Sequence, residues 1–567
     1  MVQKMAKKVL RKRSESIEQL AAQEFDVAIV GGGINGAVAA AALAGHGVKV
    51  ALIEKEDFAC GVSSQSSNLA WGGIKYMETF ELGLVRKLCQ SRNRLTELFP
   101  SAVREVRFLT VVRNNFRWPA FLLYLGSVLY WFLGSFKTRP PRYLSKKQIR
   151  RLEPVLEVSD ASAGFEYSDC HFEDNDARFV FNMVRAARDS GAITANYVSA
   201  VQSERIGNRW QIDAQDEVSG RKFLVRAKVF INACGPYVDE LNQRSNQKTE
   251  HRHLFSKGVH LIVKRVTEQR RVLTLFASDG RPFFVIPMGD RTCVGTTDTE
   301  VDDPEVGVTD EDRRFILDNV NAGLVLDPPL EISDIIAERC GVRPLAVRGK
   351  SAPEPETNSQ PDEESGDWLQ LSRKHALDID TERAHISIFG GKLTDCLNVG
   401  DSIVEHVSEL GVEVSEAAET ANGYWCGEPD EAQRLSFMQA AQALELDSGL
   451  LASNRAFNES ASDRLWRRYG ADAFEVLKLV EEDPGQKEPA LTCSPILRCE
   501  LEYARRWEMV VTLDDFFRRR TRISQLSRKQ QLITDPGIER LCEQLFAEDA
   551  SVKLEDYVQA RPPAHIL

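Results

Sequence analysis

Three glycines at GxGxxG spacing form the pattern in this chain that points most directly to chemistry. Gly31, Gly33 and Gly36 follow an apolar run of strand length, Asp26 to Val30, and precede the helix formers Ala37 to Ala44. Glycine turns allow backbone amides to approach a pyrophosphate, and the N-terminus of the following helix adds a partial positive charge. The pattern predicts a strand, a tight turn and a helix that bind a dinucleotide.

An acidic residue at the end of the next strand supports this prediction. A second apolar run, Val48 to Ile53, ends at Glu54, which places a carboxylate at the tip of the strand. A carboxylate at that position can accept hydrogen bonds from a ribose. We therefore expect Gly31 to Glu54 to hold the nucleotide end of a cofactor.

The loop after Glu54 could surround a phosphate or a cofactor edge, although a plain surface loop has the same composition. Its candidate donors are Ser63, Ser64, Ser66, Ser67, Gly72 and Gly73. Further along, Ala192 to Val198 reads as a short strand whose backbone can meet an adenine ring.

Cations at three later positions are candidates for holding an anion. Arg343 lies in the run Gly341 to Pro344, and Arg373 follows a predicted strand. Lys392 lies at the start of a helix predicted after the strand His385 to Phe389, where the helix N-terminus adds positive charge.

His260 lies on a predicted strand, where alternation places it on one face with Gly258 and Ile262. A buried structural histidine fits this pattern as well as a functional one does.

The composition is that of a soluble globular protein. The 567 residues are 43% hydrophobic and 28% charged, which argues for two or three folded domains. A net charge of −12 weighs against nonspecific nucleic-acid binding. The 11 cysteines show neither a metal-ligand spacing nor a disulfide framework, so we expect no metal and a cytoplasmic location.

Several blocks spread over nearly the whole chain resemble the FAD-dependent glycerol-3-phosphate dehydrogenases, a branch of the D-amino-acid-oxidase-like flavoproteins. The blocks are GGGINGA from Gly31, IEKEDFACGVSSQSSNLAWGGIKYME from Ile53, GFEYSDCHFEDNDARFV from Gly164, INACGPYVDEL from Ile231, KGVHLIV from Lys257, FVIPMGDRTCVGTTDTE from Phe284, CGVRPL from Cys340, FGGKLT from Phe389 and EYARRWEMVVTLDDFFRRRTR from Glu502.

The resemblance implies FAD as cofactor and oxidation of a phosphorylated secondary alcohol, glycerol 3-phosphate, to dihydroxyacetone phosphate, with hydride passing to the flavin and electrons to membrane quinone. The implied cofactor-binding residues are Gly31, Gly33, Ile34, Asn35, Gly36, Glu54, Lys55, Ser63, Ser64, Ser67, Asn68, Gly72, Gly73, Val198, Ala233, Gly235, Gly391, Lys392, Leu393 and Thr394. The implied catalytic residues are His260 as the base, Arg343, Arg373, Lys392 and Lys75 against the anion, and Tyr76 as a hydroxyl contact.

The chain departs from the family pattern beside the expected substrate. Asn68, Trp71 and Lys75 stand where the family has lysine, histidine and arginine. Lysine cannot reproduce the planar two-point contact of arginine with a phosphate. Asp395, a further departure, is expected to weaken the anion-binding field near Lys392. Two alternatives therefore stay open: a flavin-dependent oxidase or dehydrogenase of another small hydroxy acid or amine, and a catalytically impaired FAD-binding membrane scaffold.

The uncharged stretch Trp118 to Phe136 is long enough for a transmembrane candidate. A single crossing would separate cofactor motifs that precede and follow it, and Pro119 and Gly126 make a poor continuous helix. Its aromatic residues and the flanking cations Arg113, Arg117, Lys137, Arg139 and Arg142 favour a monotopic docking surface over a buried helix pair. The expected location is peripheral or monotopic at the inner face of the membrane.

The predicted fold is α/β, with a Rossmann-like FAD-binding domain interleaved with a mixed β-sheet substrate domain, and a helical C-terminal domain. The expected segments are a basic N-terminal arm at 1–24, the discontinuous FAD-binding domain at 25–75, 164–250 and 385–410, the substrate and membrane-docking domain at 76–163 and 251–384, and the helical domain at 411–567. The basic cluster Arg518 to Arg522 by itself predicts a solvated helix face, whereas the family block that contains it is interpreted as structural. Expected partners are a small anionic substrate, a membrane surface and quinone, with a homodimer as the assembly considered and no nucleic acid.

Overall fold

The computed structural model describes residues 12–348, 375–417, 424–449 and 459–560. Arg373 and residues 1–11 of the basic arm lie outside these ranges. The strands are β1 (Glu24–Val30), β2 (Val50–Ile53), β3 (Leu69–Ala70), β4 (Val103–Arg113), β5 (Arg142–Leu144), β6 (Ala161–Phe172), β7 (Ile193–Ala195), β8 (Val198–Ile206), β9 (Arg209–Asp216), β10 (Lys222–Asn232), β11 (His251–Lys264), β12 (Arg271–Phe276), β13 (Pro282–Met288), β14 (Arg291–Gly295), β15 (Thr299–Val301), β16 (Ile335–Arg348), β17 (His375–Asp380), β18 (His385–Gly390), β19 (Pro489–Leu491) and β20 (Ser494–Leu497).

The α-helices lie between these strands and fill the C-terminal region. They are α1 (Arg13–Ala22), α2 (Ile34–Gly45), α3 (Leu82–Leu98), α4 (Ala120–Leu133), α5 (Lys146–Leu152), α6 (Asp176–Asp189), α7 (Val238–Arg244), α8 (Asp310–Gly323), α9 (Cys396–Glu409), α10 (Glu431–Ala443), α11 (Ala461–Tyr469), α12 (Ala473–Glu482), α13 (Arg498–Trp507), α14 (Ile523–Leu526), α15 (Lys529–Ile533), α16 (Ile538–Phe546) and α17 (Ala550–Gln559). Asp515–Arg520 forms a π-helix.

The first sheet has a parallel centre in the order β18-β10-β1-β2-β7. Residues of α2, α6 and α9 share one hydrophobic core with its strands, and residues of α1 belong to a second core together with β8, β9 and β10. Parallel strands buried on both faces form a doubly wound fold. The predicted Rossmann-like domain is confirmed.

The second sheet has ten strands and is mixed, since most neighbours are antiparallel whereas β4 and β12 run parallel. Its longest pairing joins β11 to β16 over thirteen register positions. The predicted hairpin around Gly289 and Asp290 is β13 and β14. The mixed substrate sheet is therefore confirmed as part of the fold class.

The structure differs from the predicted domain segments at three places, two of them strands and one a helix. β6 begins near the expected return to the FAD-binding domain at Gly164, but it pairs with β4 in the second sheet, and that domain resumes only at α6. β17, expected in the substrate segment, pairs with β18 of the first sheet. α1, which lies in the segment expected as a basic N-terminal arm, packs on the first sheet, because it buries Ile17 and Leu20 and Arg13 forms an ion pair with Asp216.

The C-terminal helices contact the first domain through buried charges. Asp57, three residues after Glu54, accepts hydrogen bonds from Arg519 at 2.6 Å and from Arg520 at 2.7 and 2.8 Å. The expectation of a solvated helix face for this basic cluster is wrong, because Arg518, Arg519 and Arg520 are all buried. These ion pairs join the helical domain to the loop that follows the nucleotide-binding strand.

Helix α4 carries most of the stretch considered for membrane contact. None of the described helices combines the length and the apolar character needed to cross a bilayer. The large side chains that α4 exposes are Phe121, Leu122, Leu125, Leu129 and Phe132. Its buried side is anchored by Tyr130, whose hydroxyl donates to Asp169 at 2.6 Å.

Candidate active site

A cavity of about 740 Å³ lies at the carboxyl ends of the parallel strands. The predicted cofactor residues that line it are Gly31, Gly33, Ile34, Asn35, Glu54, Lys55, Ser63, Ala233, Gly235, Gly391 and Leu393. These residues come from four separate stretches of the chain. Ligands of doubly wound sheets bind at this edge, outside the strand ends.

Gly31 and Gly36 form the turn at the centre of this cavity. A Cβ on Gly31 would lie 2.4 Å from the Ala233 carbonyl oxygen, and a Cβ on Gly36 would lie 1.9 Å from the Gly31 carbonyl oxygen. Gly31 also has a φ of +107°, which a side chain disfavours. The glycines therefore bring the turns after β1 and β10 together and begin α2 at the cavity.

The Glu54 carboxylate contacts the protein backbone as well as the cavity. Its Oε2 accepts a hydrogen bond from the Gly32 amide at 2.6 Å, and its Oε1 accepts one from the Glu56 amide at 2.9 Å. Burial raises the pKa of Glu54, against the effect of these hydrogen bonds. The residue expected to contact ribose thus also fixes the glycine turn.

The serines of the following loop have different environments. Ser63 lines the cavity, and its Oγ accepts a hydrogen bond from the Ile34 amide at 3.0 Å. Ser64 turns into its own loop, where Oγ donates to the Gly61 carbonyl at 3.2 Å. Ser66 lines the cavity because Asp176 holds its amide at 2.8 Å, while its neighbour Ser67 is half-buried outside this wall.

Three other predicted cofactor residues, Asn68, Gly72 and Gly73, do not line the cavity. Asn68 has a φ of +58°, and its Oδ1 accepts a hydrogen bond from Arg339 at 3.1 Å. The Gly72 amide donates to the buried Asp169 at 3.1 Å, and Gly73 has a φ of +78°. They shape the serine loop from the side that faces the second sheet.

At the far end of the cavity, β8 contributes Ser199, Ala200 and Val201 in place of the predicted Val198. Val198 is buried, and its amide donates to the Glu54 carbonyl at 2.7 Å. Its side chain belongs to the hydrophobic core that also contains Trp210 and Ile212.

The cavity is also lined by residues that sequence reasoning had not placed at the cofactor. These are Glu56, Cys60, Gly61, Val62, Glu217, Tyr237, Glu240, Leu241, Arg244, Glu305 and Pro344. Cys234 and Pro236, which belong to the INACGPYVDEL block of the resemblance, line the cavity as well. Tyr237 follows them in the same block, which was a visible signal for its place.

One face of the second sheet presents the remaining candidates. In the register of β11 and β16, Ser256 pairs with Arg343 and His260 pairs with Arg339. Paired residues of antiparallel strands lie on the same face. Gly258 makes room on this face, because its Cβ would lie 2.2 Å from the Arg343 guanidinium. His260 and Arg343 are therefore neighbours, and the adjoining Pro344 lines the cavity.

His260 is buried, and neither ring nitrogen has a hydrogen-bond partner among the described residues. Burial, together with the positive charges of Arg339 and Arg343, lowers the pKa of His260 to about 3. The imidazole is consequently neutral at pH 7 and can accept a proton.

Two further cationic candidates lie where the turn after β18 meets the loop after β3. Lys392 Nζ donates to the Tyr76 hydroxyl at 2.6 Å, and the Trp71 amide donates to Thr394 Oγ1 at 3.0 Å. Lys75 is half-buried on the same 3₁₀ turn as Tyr76. Because Gly391 and Leu393 line the cavity, Lys392 lies at its rim.

The Arg343 guanidinium lies 3.2 Å from Asp298 Oδ1 and 3.2 Å from Thr296 Oγ1.

Asp395 was expected to weaken the positive field around Lys392, but its carboxylate has other partners. It lies 2.7 Å from His375 Nδ1 and accepts a hydrogen bond from Ser91 at 3.3 Å. Its charge is therefore directed towards α3 and His375.

The residues of the cavity fit an FAD molecule. Close glycine turns, the N-terminus of α2 and the buried Asn35 Oδ1, which has no hydrogen-bond partner among the described residues, provide polar contacts along its wall. Gly31 to Asn35 and the Ala233–Tyr237 turn would hold the pyrophosphate, and the Gly391–Leu393 turn would meet the flavin.

Comparisons with known proteins agree with this geometry. The FAD dependent oxidoreductase family matches residues 26–358, and the C-terminal domain of alpha-glycerophosphate oxidase matches residues 430–551. Glycerol-3-phosphate dehydrogenase 2 of Mycobacterium tuberculosis is 31% identical over 533 residues, covering 90% of this chain and 83% of that protein. Glycerol-3-phosphate dehydrogenase of Pseudomonas aeruginosa is 30% identical over 522 residues, with 90% and 94% covered.

The fold is also shared with a solved structure. The glycerol-3-phosphate dehydrogenase of Bacillus halodurans complexed with FAD superimposes with a TM-score of 0.69 at 22% identity, covering 96% of each chain. Since the family match spans more than half of the chain and agrees with the cavity, this chain is an FAD-dependent oxidoreductase and belongs to the glycerol-3-phosphate dehydrogenase family.

Proposed function

We propose that the chain oxidises glycerol 3-phosphate, or a closely related phosphorylated secondary alcohol, to the ketone dihydroxyacetone phosphate. FAD, when bound, supplies the acceptor for the hydride that leaves the carbon. The observation that supports the proposal is that neighbours of two candidate cations line the FAD cavity: Pro344 follows Arg343, and Gly391 and Leu393 flank Lys392. His260 shares the sheet face of Arg343. The names of the relatives support this substrate.

The cations would hold and orient the phosphate. Arg343 lies on a strand, with its guanidinium positioned by Asp298 and Thr296, so it can offer a fixed planar contact. Lys392 would add a point charge, and Tyr76 a hydroxyl contact. Lys75 and Arg373, which lies outside the described residues, are the further cations in this proposal.

His260 would take the hydroxyl proton as the carbon is oxidised. Its nitrogens are unpartnered and its ring is neutral, as a base requires. An anionic substrate against Arg343 would offset part of the positive field that lowers the pKa of His260. The substrate would thereby make the imidazole a stronger base at the moment it is needed.

Anaerobic bleaching of the flavin absorbance tests the substrate. We expect rapid bleaching by glycerol 3-phosphate and none by lactate-like acids or amines. Bleaching by one of those compounds alone would establish the alternative oxidase or dehydrogenase. If no compound bleaches the wild type, but Trp71→His with Lys75→Arg gains strong activity towards glycerol 3-phosphate, the native chain is an impaired scaffold.

Two histidine variants test whether His260 is the proton acceptor. His260→Asn should slow flavin reduction by about a hundred-fold or more while the FAD content stays constant. His385→Asn is the matched control, because burial lowers the pKa of this histidine to about 3 as well, but its ring contacts Trp210 and Phe230. Equal rates in His260→Asn and wild type would remove His260 from the mechanism.

We further propose that the exposed face of α4 docks on an anionic membrane surface and that membrane quinone accepts the electrons. Five large apolar side chains of one helix are exposed there, and Trp118 and Phe136, which flank the helix in the chain, are exposed as well. The cations Arg113, Arg117, Lys137, Arg139 and Arg142 are exposed around them. An apolar helix face with a cationic border is typical of interfacial binding.

Sedimentation with vesicles of phosphatidylcholine and phosphatidylglycerol tests this docking. The double variant Phe121→Glu, Leu125→Glu should bind vesicles roughly ten-fold or more weakly, because it places charge where apolar area would be buried. It should also lose reduction of a long-chain quinone in vesicles while keeping flavin bleaching. Val552→Glu, at an exposed valine of α17, is the control. A wild-type protein that stays in the supernatant would refute the docking.

A further inference from the structure

A second cavity, of about 650 Å³, lies between the second sheet and the helical domain. We call it the arginine cavity, because its wall contains seven arginines: Arg104, Arg107, Arg139, Arg265, Arg270, Arg271 and Arg522. It shares no lining residue with the FAD cavity, and none of the described catalytic candidates lines it. The proposed reaction therefore leaves this cavity without a role.

Carboxylates compensate part of this positive charge: Glu105 pairs with Arg139 and Glu173 with Arg270 within the wall, and the buried Glu166 behind it pairs with Arg107 and Arg271. The other acidic residues of the wall contribute less to this compensation. Glu459 lies 2.6 Å from Arg467 and Asp463 lies 3.2 Å from Arg434, and both of these arginines lie outside the wall. Two of the five acidic side chains are thus engaged by other cations. The exposed Arg104 side chain forms no ion pair with the described residues.

Arg265 has mainly backbone partners. Its guanidinium donates to the Thr267 and Glu268 carbonyls at 2.8 and 2.7 Å, while the Glu268 carboxylate is 3.8 Å away. Backbone carbonyls orient a guanidinium without neutralising its charge. Arg265 is therefore a positioned cation at the wall.

His171 is the buried polar side chain of this wall that lacks a partner. It is 9% exposed, and its ring forms no hydrogen bond with any described residue. Burial lowers its pKa to about 4; Glu173 opposes this effect, and Arg522, Arg339 and Arg270 reinforce it. A nine-tenths buried imidazole without a partner indicates that this cavity has room for a polar ligand.

We propose that the arginine cavity is a binding site for a small phosphate-bearing polyanion. Guanidinium groups bind phosphate oxygens through paired hydrogen bonds, and several of them here are held by strands β4, β12 and their ion pairs. His171 contributes a ring that donates to phosphate oxygen. The chamber is large enough for a small organic molecule, and its charged wall excludes an apolar one.

Binding in this cavity would also tie two domains together. Arg104 and Arg270 belong to the second sheet and its loops, while Glu459, Asp463 and Arg522 belong to the C-terminal region. A ligand held from both sides stabilises the native arrangement in proportion to its concentration. The site can thereby act as a sensor of a phosphorylated metabolite.

Calorimetric titration of the FAD-loaded enzyme with inorganic pyrophosphate tests the proposal. We expect binding to wild type and at least about a ten-fold loss of affinity in the double variant Arg104→Ala, Arg270→Ala. Arg540→Ala, at an exposed arginine of α16, is the control and should bind as wild type. Arg104→Lys should fall between wild type and Arg104→Ala, because it keeps the charge and loses the planar contact.

The FAD content and the rate of flavin bleaching show independently whether a variant is folded and whether its FAD cavity is intact. The double variant should retain its FAD content and its rate of flavin bleaching by the reducing substrate. Absence of pyrophosphate binding to wild type, equal binding to the double variant, or complete displacement by glycerol 3-phosphate would each overturn the proposal. The titration contains no substrate, so its result stands whether or not the proposed reaction is correct.

Discussion

The two cavities of this protein offer contacts to anions in opposite ways. The FAD cavity is lined largely by glycine turns, serine hydroxyls and the N-terminus of α2, whereas the arginine cavity is lined by charged side chains. The first is supported by a parallel sheet, and the second requires two domains to meet. The difference shows that a site built from backbone amides depends on glycines, which leave space for the ligand to approach the chain. A site built from charged side chains depends instead on how the buried charges around it are compensated.

The largest effect on FAD binding should come from adding a methyl group at a close contact between two backbone turns. Gly31→Ala places a methyl group 2.4 Å from the Ala233 carbonyl oxygen at a φ of +107°, so the two turns must separate. We expect the purified variant to contain almost no FAD, as measured by its absorbance. Gly61→Ala is the control, because this cavity-lining glycine has open space around its Cβ position. Normal FAD content in Gly31→Ala would show that the close approach is dispensable.

For the arginine cavity, the largest effect should come from removing a buried counter-charge that pairs with two of its arginines from behind the wall. Glu166 is buried and lies 3.3 Å from Arg107 and 3.0 Å from Arg271. Glu166→Gln should destabilise the protein by about 3 kcal/mol, since it leaves buried guanidinium groups poorly compensated.

Thermal unfolding of holoprotein measures this change, and the FAD content should stay constant. Glu24→Gln is the control, because Glu24 and Arg209 form an exposed pair that contributes at most about 1 kcal/mol. Equal melting temperatures for Glu166→Gln and wild type would contradict the importance of charge balance in this wall.

The pH dependence of stability should reflect buried histidines near both cavities. The folded pKa values are about 4 for His171 and about 3 for His260, below the ordinary value of 6.5. As pH falls below 6.5 the unfolded chain therefore takes up protons first, and stability is lost by about 1.4 kcal/mol per pH unit for each such histidine.

Melting temperatures between pH 7.5 and 5 check this sign. His171→Gln should show a shallower decline than wild type, because one proton fewer is taken up on unfolding. An unchanged slope would mean that His171 does not remain neutral in the folded protein.

The smallest effect should come from an exposed charge at the FAD cavity. Lys55 lines this cavity but is exposed to solvent, so water screens its charge. Lys55→Ala should weaken FAD binding by about two-fold, as for a surface ion pair. A loss as large as that expected for pyrophosphate in Arg104→Ala, Arg270→Ala would show that both cavities depend on side-chain charge.

The sequence allowed the fold class and the nucleotide turn to be predicted, because both depend on local patterns. The strand at Asp26 to Val30 and the three glycines lie within a dozen residues, and apolar runs mark the parallel strands. Sequence reasoning was less successful where contacts with other residues determine the direction of a side chain. Ser64 and Val198 have suitable types at suitable places, but a hydrogen bond within its own loop turns Ser64 away from the cavity wall, and Val198 packs into the core instead.

Residue types and local spacing alone therefore determined that this chain forms a doubly wound domain with a dinucleotide turn, because backbone geometry is encoded within a few residues. Only the tertiary structure decided that Arg343 and His260 share one sheet face and that β6 leaves the first domain. It alone placed Arg104 opposite the helical domain and buried Arg518 to Arg520. A charge has the same appearance in a sequence whether it is solvated, paired or aimed into a cavity, since its energy depends on neighbours that are distant in the chain.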